Sequence, residues 1–389
     1  MAKRKLILVD YLTGGHHATY ITEIVKVLDE SKEDFHVLYP KLTELDKSFS
    51  NHYTKYRSFW MNLFKNSPRF KTVAIWFDLI WNLYKIGGRS KNNVVFITWV
   101  DTLRLHGDHP LVLNSFIKLV KVFGPHNWIG LYFHPTHLRK SSQGETESMA
   151  TDSIFKMNSC KAIAVLDKGV GEKLHKLISK PIIIFPDITN TLHNDATSKL
   201  GLEILEKAKG RRVISILGMQ SRRKGVLSLI EIAKDCVNEN VFFLFGGPLD
   251  EPTYSERELS SLLQFIASKP KNCFFWLQHL KDGPEFNDLI KLSSLIYAVY
   301  LSFPHSSNLL VKAAFFGKPV LVSNEYYMGE LVDKYQLGDT VNPNNLLEIK
   351  EKIINYNYLC INDKLQRKFF KLNAKEKLKE TFQGILKMK

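Results

Sequence analysis

The chain has 389 residues, 44% of them hydrophobic and 24% charged. That is a globular composition, long enough for two α/β domains and too apolar for a disordered chain. The formal net charge of +15 points to a polyanionic partner, whether phosphate-bearing ligand, anionic membrane or nucleic acid. Cys160, Cys236, Cys273 and Cys360 are scattered without CxxC or Cys/His spacing, so neither a disulfide framework nor a zinc site is expected, and a reducing, cytoplasmic setting fits them.

In chain order, residues 5–9 (KLILV) form a short apolar run that stops at Asp10 and enters Thr13-Gly14-Gly15. The run is too short for a leader or a membrane span. Tyr20, Ile21, Ile24, Val25, Val27 and Leu28 then follow helical spacing, and residues 35–39 (FHVLY) repeat the apolar run. Strand, glycine turn, helix, strand is a βαβ unit, and continuous rather than alternating apolar strands predict a parallel sheet buried on both faces. Further runs at 94–100, 128–133, 162–166 and 181–185 extend it into one doubly wound domain, placed at 1–190.

Residues 55–91 mix aromatic and basic side chains, including Phe59, Trp60, Phe77, Trp81, Lys65 and Lys71. Such a mixture suits a lipid-headgroup surface as well as an ordinary packed helix with solvated lysines. Residues 191–210 turn polar and are expected to form the linker. A second βα series, expected over 211–362, has runs at 213–217, 241–245, 273–277, 295–300 and 319–323. Residues 363–389 read as one basic amphipathic helix that packs back on the N-terminal domain.

Within the second series, Gly218-Met-Gln-Ser-Arg222-Arg223-Lys224-Gly225 leaves a strand and opens a helix. Downstream come Lys312-Ala-Ala-Phe-Phe-Gly317-Lys318-Pro319-Val320 and Gly329-Glu330. This pattern resembles the donor domain of GT-B glycosyltransferases, particularly the large retaining family (glycosyltransferase family 4, group 1). It covers roughly residues 211–345 well and the first half weakly. The resemblance implies two Rossmann-like doubly wound domains facing a cleft. It also implies transfer of a sugar from a UDP- or GDP-linked donor, with no cofactor beyond that co-substrate. Where the family carries Arg after the glycine, this chain has Met219. Where it carries two glutamates, it has Pro304 and Lys312, neither of which accepts a sugar hydroxyl's hydrogen bond through its side chain.

The expected donor contacts are Gly218, Arg222, Arg223, Lys224, the loop group His305, Ser306, Ser307 and Asn308, and Glu330, since a diphosphate needs N–H groups and positive charge. Gly14, Gly15, His16 and His17 form the expected acceptor or phosphate loop, although paired glycines also serve a plain tight turn. His134, at a strand end near the donor sugar in the family, and Asp101, at the end of the 94–100 run, are the catalytic candidates; His137 is weaker. Asp101 and Glu330 each have an alternative reading as helix-start acids. No DxD pair is placed to chelate a donor, so metal-independent chemistry is expected. GxGxxG is missing, which argues against a dinucleotide enzyme. Zinc, homeodomain and RNP patterns are missing too, which argues against a nucleic-acid partner.

The sequence therefore predicts a cytoplasmic hexosyltransferase in polysaccharide or glycolipid synthesis. Its acceptor is a glycan or lipid-linked sugar, and it contacts the inner membrane face peripherally. A second reading keeps the fold and drops the chemistry, leaving a nucleotide-sugar-binding or scaffold subunit.

Overall fold

A computed structural model describes residues 5–13, 17–45, 51–66, 68–87, 93–106, 118, 126–133, 150–355 and 361–388. The chain divides into two compact units, one of residues 1–188 with 373–389 and one of residues 189–372.

In the first unit the strands are β1 (Leu6–Val9), β2 (Phe35–Tyr39), β3 (Tyr53–Lys55), β4 (Val94–Ile97), β5 (Leu105–His106), β6 (Asn127–Tyr132), β7 (Ala150–Thr151), β8 (Cys160–Val165) and β9 (Ile182–Ile184). Seven of them form one sheet in the order β3-β2-β1-β4-β6-β8-β9, every neighbouring pair parallel. The helices are α1 (His17–Glu30), α2 (Phe59–Leu63), α3 (Pro68–Gly87) and α4 (Lys168–Ile178). Apolar residues occupy every position of β1 because both faces are covered. Ile7 and Val9 join Val95 and Ile97 in one core, while Leu6 and Leu8 join Val94 and Phe96 in the other.

The second unit holds α5 (Lys199–Ala208), β10 (Arg212–Leu217), α6 (Val226–Asp235), β11 (Val241–Gly246), α7 (Glu256–Ala267), β12 (Cys273–Trp276), α8 (Pro284–Leu292), β13 (Leu295–Ala298), α9 (Asn308–Phe315), β14 (Val320–Ser323), α10 (Tyr326–Tyr335), β15 (Gly338–Val341), α11 (Leu346–Ile354) and α12 (Asp363–Asn373). Its sheet runs β12-β11-β10-β13-β14-β15, again parallel throughout. In each sheet the order reverses beside the first strand, between β1 and β4 and between β10 and β13. Carboxyl ends diverge at such a switch point and leave a crevice for ligand.

Two boundaries differ from expectation. The polar stretch 191–210 contains helix α5, whose Ser198 cap accepts the Gly201 N–H; a polar sequence with a buried Ile204 and Ala208 stripe is an amphipathic helix rather than a linker. The single helix expected over 363–389 is two helices, broken at Ala374. Phe369 of α12 packs in the second unit's core. In α13 (Lys375–Lys387), Leu378, Phe382 and Ile385 pack in the first unit's core.

Phe382 meets Phe96 edge-on at 5.1 Å and Phe185 at 6.0 Å and is 1% exposed. Phe382→Ala should cost about 3–5 kcal/mol. A fall in urea midpoint, with the denaturant slope unchanged, is the expected reading.

Candidate active site

The second unit's switch point is built around the turn after β10. Gly218 holds φ +84°, and a Cβ there would lie 2.8 Å from the Lys224 Nζ. Gly247, at the end of β11, has φ +133°, and a Cβ there would lie 2.2 Å from the Gly218 oxygen. The two loop backbones therefore run in contact, an approach only glycine allows. Gln220, buried, ties them together: its Nε2 donates to the Gly218 oxygen at 2.7 Å and to the Gly246 oxygen at 3.2 Å. Sequence reasoning passed over Gln220 because an amide between two recognised motif residues carries no motif signal.

Lys224 closes a short 3-10 turn, Arg222–Lys224. Its side chain folds back so that Nζ donates to the Leu217 oxygen at 2.8 Å and lies 5.7 Å from the Tyr300 ring centroid. Burial, and then the neighbouring Arg223 charge, pushes its pKa down to about 8. Arg223 stands over the ring of Phe303 at 4.4 Å, and its carbonyl accepts the Leu301 N–H at 2.7 Å. That bond joins the β10 turn to the loop after β13. Arg222 does not join them. Its Nε pairs with Glu258 Oε1 at 2.8 Å, against the capping box that opens α7.

The loop Ser302–Ser307 is anchored by Tyr300 and Phe303, whose rings meet at 5.3 Å, and by His305, 5.2 Å from Phe303. Ser302 holds φ +48°, a backbone conformation that non-glycine residues seldom adopt. Ser307 caps α9, accepting from the Leu309 N–H, and Asn308 is that helix's first residue. Ser307 and Asn308 are thus brought with His305 and Ser306 to the carboxyl edge where Lys224 lies. Glu330 is placed differently: it is exposed, in the second turn of α10, and so is neither a first-turn acid nor at the strand end.

Pro304 is buried within the loop. Lys312 is 2% exposed and serves the unit's interior. Its ammonium pairs with Asp282 Oδ1 at 2.8 Å, donates to Asn287 Oδ1 at 2.8 Å and donates to the Asn190 carbonyl. Asn287 in turn donates to the carbonyls of Asn190 at 3.0 Å and Leu192 at 2.7 Å. Lys312 is therefore a clamp that fastens residues 190–192 to α8.

At the first unit's switch point, the buried carboxylate of Asp10 accepts the Leu12 N–H at 3.0 Å and meets His17 Nδ1 at 2.8 Å. This fixes the imidazole at the start of α1 and leaves Nε2 as its second polar atom. The His17 ring lies 5.0 Å from Trp99, which stacks on Phe133 at 4.5 Å. Tyr11 holds this platform by donating to the Trp99 oxygen at 2.6 Å. Asp101 begins the next turn, and its carboxylate accepts the Phe133 N–H at 3.1 Å, joining the β4 and β6 exits. That bond gives it a positioning role in the same platform. Asp10 was missed because an aspartate ending an apolar strand looks the same whether it caps, orients or reacts. Gly14, Gly15, His16, His134 and His137 lie outside the described residues. Among the described residues no group of three or more His, Cys, Asp or Glu is placed to hold a metal ion.

No protein-family model matches the chain, and no curated protein matches it in sequence. Solved structures do match over its whole length. A glycosyltransferase from Rickettsia africae aligns with TM-score 0.63 at 14% identity, over 100% of this chain and 95% of that one. Anabaena Alr3699/HepE in complex with UDP and glucose aligns with TM-score 0.64 at 12% identity, over 98% and 99%. An α,α-trehalose-phosphate synthase (UDP-forming) from Burkholderia vietnamiensis gives 0.63 at 9%, over 99% of each chain. The fold is that of the GT-B glycosyltransferases.

The Lys312 clamp makes its own prediction. Asp282→Ala leaves a buried ammonium without its carboxylate and should cost about 2–3 kcal/mol, because the two remaining acceptors soften the loss. Lys312→Met, which removes the charge and keeps the length, should cost less than Asp282→Ala. Urea unfolding of the two variants checks the order.

Proposed function

We propose that the chain transfers a hexosyl group from a UDP- or GDP-linked sugar to a glycan or lipid-linked acceptor, in cell-surface polysaccharide or glycolipid synthesis. The observation that carries this reading is Lys224, a lysine held at a switch-point crevice against a carbonyl rather than a carboxylate. Its charge is desolvated and unneutralised by that partner, which is the state a diphosphate oxygen relieves. In the GT-B-like structures of Anabaena HepE, UDP and glucose are the bound molecules.

In this reading the diphosphate lies against Gly218 and Lys224 with Arg223 beside it, and the sugar lies toward His305, Ser306, Ser307 and Asn308. We assign acceptor binding to the first unit, with the Trp99–Phe133 stack as its apolar platform and His17, oriented by Asp10, as a hydrogen-bonding group. The acceptor oxygen bonds to the anomeric carbon as the bond from that carbon to the diphosphate oxygen breaks, and the hydroxyl proton passes to the departing diphosphate oxygen. Negative charge grows on the leaving diphosphate, and the ammonium of Lys224 stabilises it, so the transition state is held more tightly than the ground state. Charge neutralisation by Lys224 and Arg223 takes the place of a chelated cation, so EDTA should leave turnover unchanged. We place the reaction in the cytoplasm, at the inner face of a membrane.

One observation favours a second reading. Lys312, at a family glutamate position, is fully engaged in the Asp282–Asn287–Asn190 clamp, so a chain that binds donor without turning it over is the alternative. A thermal-shift screen against UDP, GDP, ADP and CMP, followed by turnover of the matching sugar conjugates, separates the two. A rise with UDP or GDP is expected. Binding without transfer to any glycan or lipid-linked acceptor would support the subunit reading, and no rise with any nucleotide would overturn both.

Lys224 also sets a pH dependence. Its folded pKa of about 8 lies below the ordinary lysine value, and a bound diphosphate favours the protonated form. Affinity should therefore hold below pH 8 and fall above it, about tenfold between pH 7 and pH 9. Lys224→Ala should weaken UDP or GDP binding at pH 7 and abolish that slope. Isothermal titration across the pH range measures both, and a slope that survives in Lys224→Ala would remove the lysine from the site.

A further inference from the structure

Helix α3 has two apolar faces where a surface helix ordinarily has one. Ile75, Trp76, Leu79 and Leu83 pack in the core of the first unit. On the other side Phe70, Phe77, Trp81 and Tyr84 recur at helical spacing and point outward, Trp81 54% and Tyr84 59% exposed. Helix α2 extends that surface with Phe59 and Leu63, 66% and 63% exposed. Rings meet across the two helices: Phe59 meets Trp60 at 5.2 Å, and Trp60 meets Phe77 at 6.3 Å. Scattered exposed apolar residues are normal, whereas a contiguous aromatic surface marks an interaction site.

The surface is mounted firmly. Asp78, buried on α3, accepts the N–H groups of Trp60 at 3.0 Å and Met61 at 2.8 Å, so one carboxylate satisfies the free amides that open α2. Asn82, one turn further, accepts the Arg57 N–H at 3.0 Å and donates to the Arg57 oxygen at 2.9 Å. Asp78 and Asn82 of α3 thus hold α2 across it, with Phe59 and Trp60 exposed.

Charge identifies the occupant. From Asn51 to Gly87 the sequence has six Lys and Arg and a single acid, Asp78, which is buried. Lys55, Arg57, Lys65, Lys71 and Lys85 are exposed, and the Lys85 ammonium lies 4.9 Å from the Trp81 ring centroid. A second copy placed on this face would set bases against bases. A bilayer with anionic headgroups offers the complement: indole and phenol rings at headgroup depth, Phe and Leu just below, and lysine stems reaching back to lipid phosphates. No helix among the described residues is long and apolar enough to cross a membrane, so the contact is one of lying on the surface.

We propose that α2 and α3 form a docking face for an anionic lipid bilayer, with the exposed aromatic side chains of both helices entering the interface and the surrounding Lys and Arg pairing with lipid phosphate. The proposal gives the membrane contact of the transfer reading a specific surface, and rests on that reading only for the contact's use. Its test is sedimentation of the full chain with vesicles of phosphatidylcholine containing about 30 mol % phosphatidylglycerol, and with phosphatidylcholine alone. Binding to the anionic vesicles, weakened by salt, is expected. Trp60→Ser with Trp81→Ser should reduce partitioning about tenfold, and Lys65→Glu with Lys71→Glu should remove the preference for anionic lipid. Circular dichroism melts establish that the variants fold, and thermal shift with UDP or GDP on the same preparations reads the donor reading separately. Failure of the wild-type chain to bind anionic vesicles would overturn the proposal, as would equal binding by the tryptophan variant. So would a wild-type dimer, seen by analytical ultracentrifugation, that the tryptophan variant dissociates.

Discussion

The second unit turns on the passage of two backbones at the ends of β10 and β11. Gly247 presses against the Gly218 carbonyl, and Gly218 leaves just the room that the Lys224 ammonium fills. A side chain at either glycine would displace the loop or the lysine. The same turn carries Arg223, whose carbonyl holds Leu301 and whose guanidinium covers Phe303. One close approach therefore sets the lysine, the arginine and the loop after β13 together. Lys224 keeps its place through a carbonyl bond, which positions the charge without cancelling it. A carboxylate in that position would stabilise the free protein and leave little for a ligand to gain.

The two units solve a common geometric problem with different chemistry. Both are parallel sheets whose order reverses beside their first strand, and in both the residues leaving that strand are fixed by buried polar bonds. In the second unit the crevice carries the Lys224 and Arg223 cations and an aromatic loop. In the first it carries the Asp10–His17 pair and the Trp99–Phe133 stack. Asp101 ties the exits of β4 and β6 together through its bond to the Phe133 N–H.

The central strands were legible because burial on both faces leaves an uninterrupted apolar run, and the turn that carries Lys224 was legible because a strand, a glycine and a basic run occur together. The edges of the sheets were less so. β3 and β15 are short and partly exposed, so Tyr53–Lys55 and Gly338–Val341 lack the apolar continuity that marks the central strands. Helix α5 hid in a polar stretch because its buried stripe is only Ile204, Ala208 and Gly201. Long-range pairing is the larger gap. That Arg222 belongs to Glu258, His17 to Asp10 and Lys312 to Asp282 depends on which loops the fold brings together, and no local pattern encodes it.

Lys312 shows what that gap hides. Read as a motif position, it marks the loss of a glutamate. Read as a buried ammonium, it must have partners, since a lysine at 2% exposure with none would not stay charged. Those partners, Asp282, Asn287 and the Asn190 carbonyl, fasten the chain where it enters the second unit. Further along the same stretch, Ser198 both caps α5 and bonds Asp288 of α8. A glutamate at 312 would replace the ammonium that pairs with Asp282 by a second carboxylate, a like charge beside it. The lysine at this position is built into the packing of α8 and α9, so a substitution at 312 acts first on how residues 190–192 are held.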